Sequence, residues 1–332
     1  MKSYWLQAIT LLACVAFPLS ASSNGDDPQL LWIKYQEIRG GLNDSAAGIP
    51  IYVRSDERKN VLNAEVYGVL DYPLNALVAA LAIPANWCEF SILHPNVKAC
   101  AEDHENGQGL LTLYLGRKSG ESRDDTFELK FRFRSLYLND EYFKASLEGD
   151  EGPLGARNHR FEVEAMKVDY RTFVRVRFSY QPKLITRIFT KVYLATHGRS
   201  KVGFSIVGVD KAGYPIYAKG KKALIERNVM RCYLALIAFM DTQHLATRDR
   251  FEARISYWFD LTEKYFSQPY ELAREEYLAA KRRDRVHQLE QLQPPLAQAT
   301  DTTTRHWIAT DFSRWVPATL RTHPVLWKEE GS

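Results

Sequence analysis

No catalytic signature is present in this chain of 332 residues: it has no G-x-S-x-G, no H-E-x-x-H and no glycine-rich phosphate loop. Hydrolases built on a nucleophile elbow, zinc peptidases built on that helix and P-loop nucleotide enzymes are therefore excluded. Neither sign of charge is in excess, with 44 Lys and Arg against 40 Asp and Glu. The two signs are interleaved almost everywhere, which excludes the clustered basic face of an obligate nucleic-acid binder. No internal repeat is visible, so a solenoid is excluded. Beyond the N-terminus, no apolar run approaches the roughly 20 residues that a spanning helix needs. Cysteine is scarce, with 4 residues in all.

The N-terminus is the most informative segment that is there. Met1-Lys2 precede an apolar run interrupted only by Ser3, Gln7 and Thr10; Pro18 ends it and Ser20-Ala21-Ser22 follow. A basic end, a short apolar core and a small-x-small exit make a secretory signal. Residues 1–22 are expected to be removed, with the cut after Ala21 or Ser22. The mature protein is then expected in the periplasm or outside the cell. An uncut anchor and a lipoprotein cut ahead of Cys14 are the alternatives; bulky Leu12 fits the second poorly.

Export bears on the remaining cysteines, because disulfides persist in an oxidising compartment. Cys88 and Cys100 enclose eleven residues, among them Pro95 and Asn96, which help the chain turn back. A Cys88–Cys100 bridge is expected. The alternative is a zinc site from Cys88, His94, Cys100 and His104, which have suitable ligand types but lack a close cysteine pair. Cys232 lies in an apolar helical stretch and reads as a buried free thiol. No cofactor is implied.

Along the chain, residues 23–60 read as an N-terminal helix (28–39, ended by Gly40-Gly41) and a linker. Residues 61–70 read as a strand. Asp71 ahead of Pro73 suggests a capped helix start, Pro84 ends that helix, and a second short one covers 85–92. From 110 onward the period changes. Phe127, Leu129, Phe131 and Phe133 alternate with Glu128, Lys130, Arg132 and Arg134, and Val174, Val176, Phe178 and Tyr180 alternate with Arg175, Arg177 and Ser179. Segments 110–116, 141–148, 158–168, 187–196 and 202–209 are also strand-like, and one apolar face throughout implies a single curved antiparallel sheet. A long amphipathic helix covers 221–241. A helical extension occupies 243–292, and its charged second half (269–292) is expected to lie solvated. Residues 293–332 read as an irregular tail containing Trp307, Trp315 and Trp327.

One strand, two short helices, a run of antiparallel strands and one long helix form an order that resembles the helix-grip fold of the START-like superfamily. Its members include lipid-transfer domains, plant allergen-type carriers and polyketide cyclases. The segments that carry the likeness are Val61–Leu70, Pro73–Phe90, Leu110–Val209 and Lys221–Asp241. No short motif accompanies them, and the extra strands around 141–168 and the residues after the grip helix depart from the pattern. The likeness implies an α+β domain over 61–242, a curved sheet gripping the long C-terminal helix, with extra helices at both ends. It also implies a cavity for a hydrophobic small molecule or lipid. The candidate lining is Tyr67, Tyr114, Phe131, Phe133, Phe178, Tyr193, Phe204, Met230, Tyr233, Leu234 and Ile237, each of which also reads as ordinary core.

Candidate chemistry is sparse. The eight histidines are scattered; His159 starts a strand and His197 follows one. Glu65 and Glu226 lie in apolar elements, and Glu226 with Arg227 and Arg231 reads as a surface salt-bridge group. Residues 199–222 carry Arg199, Lys201, Lys211, Lys219, Lys221 and Lys222 against Asp210 alone, a candidate contact for an anionic membrane surface. Three readings follow: a carrier, a cyclase- or hydrolase-like enzyme using cavity Tyr, His or Glu, and a scaffold that docks an envelope protein through 293–332.

Overall fold

The computed structural model describes residues 28–42, 50–105, 108–116, 126–138, 140–196, 198–265 and 272–292. The expected export signal, His197 and the tryptophan tail lie outside the described residues.

Helix α1 (Pro28–Leu42) comes first and runs through Gly40-Gly41, because Leu42 is buried with Leu31 and Ile38 on one face. An eight-stranded antiparallel sheet follows. Its strands are β1 (Ile51–Arg58), β2 (Val61–Leu70), β3 (Val97–Glu105), β4 (Gln108–Leu115), β5 (Phe127–Leu138), β6 (Tyr142–Glu151), β7 (Arg157–Val168) and β8 (Arg171–Gln181), in the order β1-β2-β8-β7-β6-β5-β4-β3. Short α2 (Leu74–Leu81) and α3 (Pro84–Ser91) connect β2 to β3. Pro73 is the N-cap of α2 and no side chain caps that helix; exposed Asp71 instead lies 3.9 Å from Arg171. The disulfide forms between Cys88 and Cys100 and ties α3 to β3, so those two thiols are not zinc ligands.

Two strands were hidden in the sequence, β1 and β3, and both are sheet edges. The linker expected at 51–58 is β1, paired with β2 from Ile51↔Gly68 to Arg58↔Val61. Lys59 and Asn60 both take positive φ, the two-residue turn whose twist suits a hairpin. Edge strands tolerate charge because one side has no partner, so Ser55-Asp56-Glu57-Arg58 masks β1 as a loop.

After β8 the expected strand at 187–196 is a helix, α4 (Leu184–Ala195). Its β-branched residues favour strands locally, but Leu184, Ile185, Ile188 and Val192 repeat at helical spacing. The segment 202–209 does not join the sheet. Only β9 (Ile206–Val209) is extended in a ladder, paired with β10 (Pro215–Tyr217) in a separate two-stranded hairpin. Helix α5 (Gly220–Asp241) packs on β1, β2 and β8 and against α3 and α6 (Thr247–Glu263). Helix α7 (Arg274–Leu292) is not solvated: Tyr277, Leu278, Lys281 and Asp284 are buried where it docks on β3. The Tyr277 hydroxyl donates to Leu93 O at 2.8 Å, and Lys281 Nζ donates to His94 O at 2.9 Å and Val97 O at 2.8 Å.

The sheet thus has an inner face gripping α5 and an outer face, and side-chain alternation separates them. In β2, Leu62, Ala64 and Val66 join the α5 core, while Tyr67 joins a second cluster under α1. Gly68 is required on the inner face, because a side chain there would collide with the Tyr233 hydroxyl. The fold is α+β, a large open antiparallel sheet gripping a long helix, with additional helices at both ends.

Candidate functional site

Strand register sets an aromatic row across the inner face. Phe133 opposes Leu147 on β6, Leu147 opposes Phe161 on β7, and Phe161 opposes Phe178 on β8. Trp87, fully buried on α3, packs edge-on against Phe133 at 5.7 Å and Phe161 at 5.8 Å. Phe131, Met230, Tyr233 and Leu234 are buried in the same core, and Phe133, Phe178, Tyr180, Phe204 and Ile237 pack on it while remaining partly exposed. Eight of the eleven residues expected to line a cavity therefore belong to this core or pack on it, with Phe204 reaching it from the segment after α4, against Tyr265.

Three do not. Tyr67 is on the outer face under α1, donating its hydroxyl to Glu65 Oε2 at 2.7 Å. Tyr114 is also on the outer face, since its neighbours Leu113 and Leu115 pack on the inner core and it opposes Glu128. Tyr193 sits on α4, where it hydrogen-bonds Arg227. Tyr67 and Tyr114 miss because one step along a strand changes face, and Tyr193 misses because the strand expected at 187–196 is helix α4.

His159 is the polar group the sequence understated. It lies on the inner-face side of β7, 6% exposed, stacked on Tyr180 at 5.6 Å. Neither ring nitrogen makes a hydrogen bond of good geometry, and the Ala156 backbone gives it only a weak one. Burial pulls its pKa down to about 4, against a smaller contribution from the Ala156 backbone, so the neutral imidazole is the resting form at neutral pH. Gly152 backs directly onto the ring.

The group Glu226, Arg227 and Arg231, expected at the surface, is buried. Glu226 accepts from Ser55 Oγ at 2.5 Å, Ser205 Oγ at 2.6 Å, Phe204 N at 2.7 Å and Ser205 N at 3.0 Å. It thereby fastens the strap, residues 199–205, and edge strand β1 to α5. Burial depends on what α4, the strap and α6 cover, and helical period alone does not report that.

The outer face carries an ionic lattice. Lys144 reaches Glu162 at 2.8 Å and Glu164 at 3.4 Å, Arg175 reaches Glu164 at 2.7 Å, and Arg54 reaches Glu65 at 2.5 Å. Burial pushes the Glu65 carboxyl up, but Arg54, Arg175 and the Tyr67 hydroxyl together hold it below its ordinary value. Glu65 and Tyr67 thus face away from His159, and an acid–base site built from these three is not assembled. Among the described residues, no cluster of His, Cys, Asp and Glu is arranged to hold a metal ion. No helix is long and apolar enough to cross a membrane, again among the described residues.

No known family model matches the chain, and no curated protein matches its sequence. Solved structures do. Human StAR-related lipid transfer protein 5 is similar at 10% identity over 50% of this chain and 88% of that one, with a TM-score of 0.28. A Streptomyces aromatase/cyclase is similar at 9% identity over 62% of this chain and 94% of that one, TM-score 0.28. A conserved protein of unknown function from Enterococcus faecalis is similar at 9% identity over 69% and 98%, TM-score 0.32. The lipid-transfer and aromatase/cyclase proteins belong to the helix-grip superfamily that the element order resembles. The description of the fold rests on the strand order and helix placement set out above.

Proposed function

We propose that this chain is an exported, non-catalytic carrier of a hydrophobic small molecule, a lipid, held between the inner face of the sheet and α5. One observation carries the reading: a buried imidazole with no well-formed hydrogen bond, only a weak one to the Ala156 backbone, beside half-buried aromatics of the inner face. Buried polar groups are normally paired, and ligand pockets are apolar with a few polar groups that set orientation. A ligand hydroxyl or carbonyl supplies a well-aligned partner for His159, while Phe133, Phe178 and Tyr180 contact the apolar body. The N-terminal sequence supports export. Native mass spectrometry of the protein purified from its host is expected to show an adduct lost on delipidation. The stripped protein is then expected to take up a neutral apolar fluorophore. No adduct and no uptake would refute the carrier.

Delivery requires contact with a bilayer, and the region 183–222 suits an anionic one. Leu184, Ile185 and Ile188 of α4 and Ile206, Val207 and Val209 of β9 are exposed. Lys183, Arg187, Lys191, Arg199 and Lys211 are exposed in the same region. Exposed aliphatics flanked by cations are the mark of a helix that lies in a membrane interface. The double variant Ile185→Asp/Ile188→Asp should leave the circular dichroism spectrum unchanged and abolish co-sedimentation with phosphatidylglycerol vesicles. Retained co-sedimentation refutes membrane docking. Docking of an envelope protein on 293–332 is a further proposal, tested by deleting that tail and looking for loss of a pulled-down partner.

A further inference from the structure

Helix α7 takes its buried polar contacts from one short stretch of chain. The Tyr277 hydroxyl donates to Leu93 O at 2.8 Å, and the Lys281 ammonium donates to His94 O at 2.9 Å and Val97 O at 2.8 Å. Asp284 lies 3.7 Å from Lys98, and Arg285 Nη1 donates to Glu89 Oε1 at 2.7 Å. Glu89, Leu93, His94, Val97 and Lys98 all fall between Cys88 and Cys100, inside the loop that the disulfide closes. The ion pairs of α7 to α6, Arg274 with Asp260 and Arg282 with Glu252, are by contrast largely exposed, and exposed pairs contribute little.

A buried ammonium gains from backbone carbonyls only where they already point at it, because ordering a free loop costs conformational entropy. Two fastenings hold this loop in advance. Asn96 Nδ2 donates to Gly116 O at 3.0 Å and pins the β3 side. The α3 side, which carries Glu89, Leu93 and His94, is joined to β3 through Cys88. Opening the disulfide frees the half of the loop that receives Tyr277, Arg285 and one bond of Lys281.

The dependence also runs the other way. Cys88 and Cys100 are 5% and 0% exposed, and thiol–disulfide exchange needs a thiolate to reach a sulfur. Cys100 is on β3, the strand on which α7 docks. A reductant therefore reaches the bond only after the structure around it has opened.

We propose that the Cys88–Cys100 disulfide and α7 form a redox-sensitive latch: α7 stays docked while the bond is closed, and the bond resists a dithiol while α7 is docked. In the reducing direction a dithiol supplies two electrons and two protons. Its thiolate attacks one sulfur, the Cys88–Cys100 bond breaks through a mixed disulfide, and the second thiol of the reductant releases the protein. Two protein thiols and an oxidised cyclic dithiol remain. Oxidation reverses this and seats α7. The coupling is reciprocal, as any linkage between two equilibria must be.

The test is hydrogen exchange of the full chain, oxidised and after reduction with dithiothreitol. Amides of α7 are expected to exchange roughly tenfold faster or more on reduction, because local opening sets their rate. Those of α5 should keep their protection. The Cys88→Ala/Cys100→Ala protein should show the faster α7 exchange with or without reductant. A second arm follows reduction of the native protein by trapping the released thiols. Lys281→Met should be reduced several-fold faster than wild type; if it does not fold, Tyr277→Phe reports instead. Unchanged α7 exchange on reduction, loss of α5 and α7 protection together, or an unchanged reduction rate in the folded variant overturns the latch. Neither arm involves a ligand, so the latch and the carrier reading fail by different measurements.

Discussion

His159 gives the clearest pH behaviour of any single residue. The unfolded imidazole protonates near its ordinary value of 6.5, whereas the buried one resists until about 4. The unfolded state therefore binds more protons between those values. Stability is lost as pH falls through 6.5, and the loss is complete near 4, amounting to about 3 kcal/mol. Urea titrations from pH 7.5 to 4.5 should show this slope in the wild type and a shallower one in His159→Phe. Gly68 makes the steric counterpart. A methyl group there meets the Tyr233 hydroxyl, and Gly68→Ala should destabilise by about 1–3 kcal/mol, as overpacking does. Tyr233→Phe in the Gly68→Ala background should recover part of it, read by thermal melts.

Among the elements, α7 shows how charge patterning misleads. Its sequence is so rich in Arg, Lys and Glu that a solvated helix is the natural expectation. It docks because one stripe holds Tyr277, Leu278, Lys281 and Asp284. Lys281 offers its ammonium to two carbonyls at the α3–β3 connection and to Asp284 Oδ2 at 2.8 Å. Burial nonetheless pulls its pKa down to about 8. Lys281→Met leaves those acceptors unsatisfied and should destabilise by about 3 kcal/mol, the cost of breaking a buried ionic contact. Denaturant midpoints check this; a change below about 0.5 kcal/mol, typical of a surface site, would mean that α7 is not docked.

For the molecule as a whole, the disulfide, the edge strands and the grip helix act together. Cys88–Cys100 closes a short loop, and such a closure stabilises by about 3 kcal/mol. Reduction should lower the unfolding free energy from urea titrations by that amount, and the Cys88→Ala/Cys100→Ala protein should be insensitive to reductant. Glu226 joins β1, the strap and α5 through four accepted hydrogen bonds, which makes the start of α5 a junction between distant parts of the chain.

The sequence by itself determined strand β2, the strands whose side chains alternate strictly, β5 and β8, the extent of α5, and the cysteine pair. Each is a local signal: a period of two or 3.6, or a short loop between thiols. Tertiary structure decided the rest. It made α4 a helix although its β-branched residues favour a strand, and it made a charged linker into edge strand β1. It also turned Tyr67 and Tyr114 to the outer face and buried Arg227 and Arg231 under a strap that sequence alone places nowhere. Periodicity is written within a few residues, but burial is set by whichever distant element covers a face, and only the folded chain brings that element there.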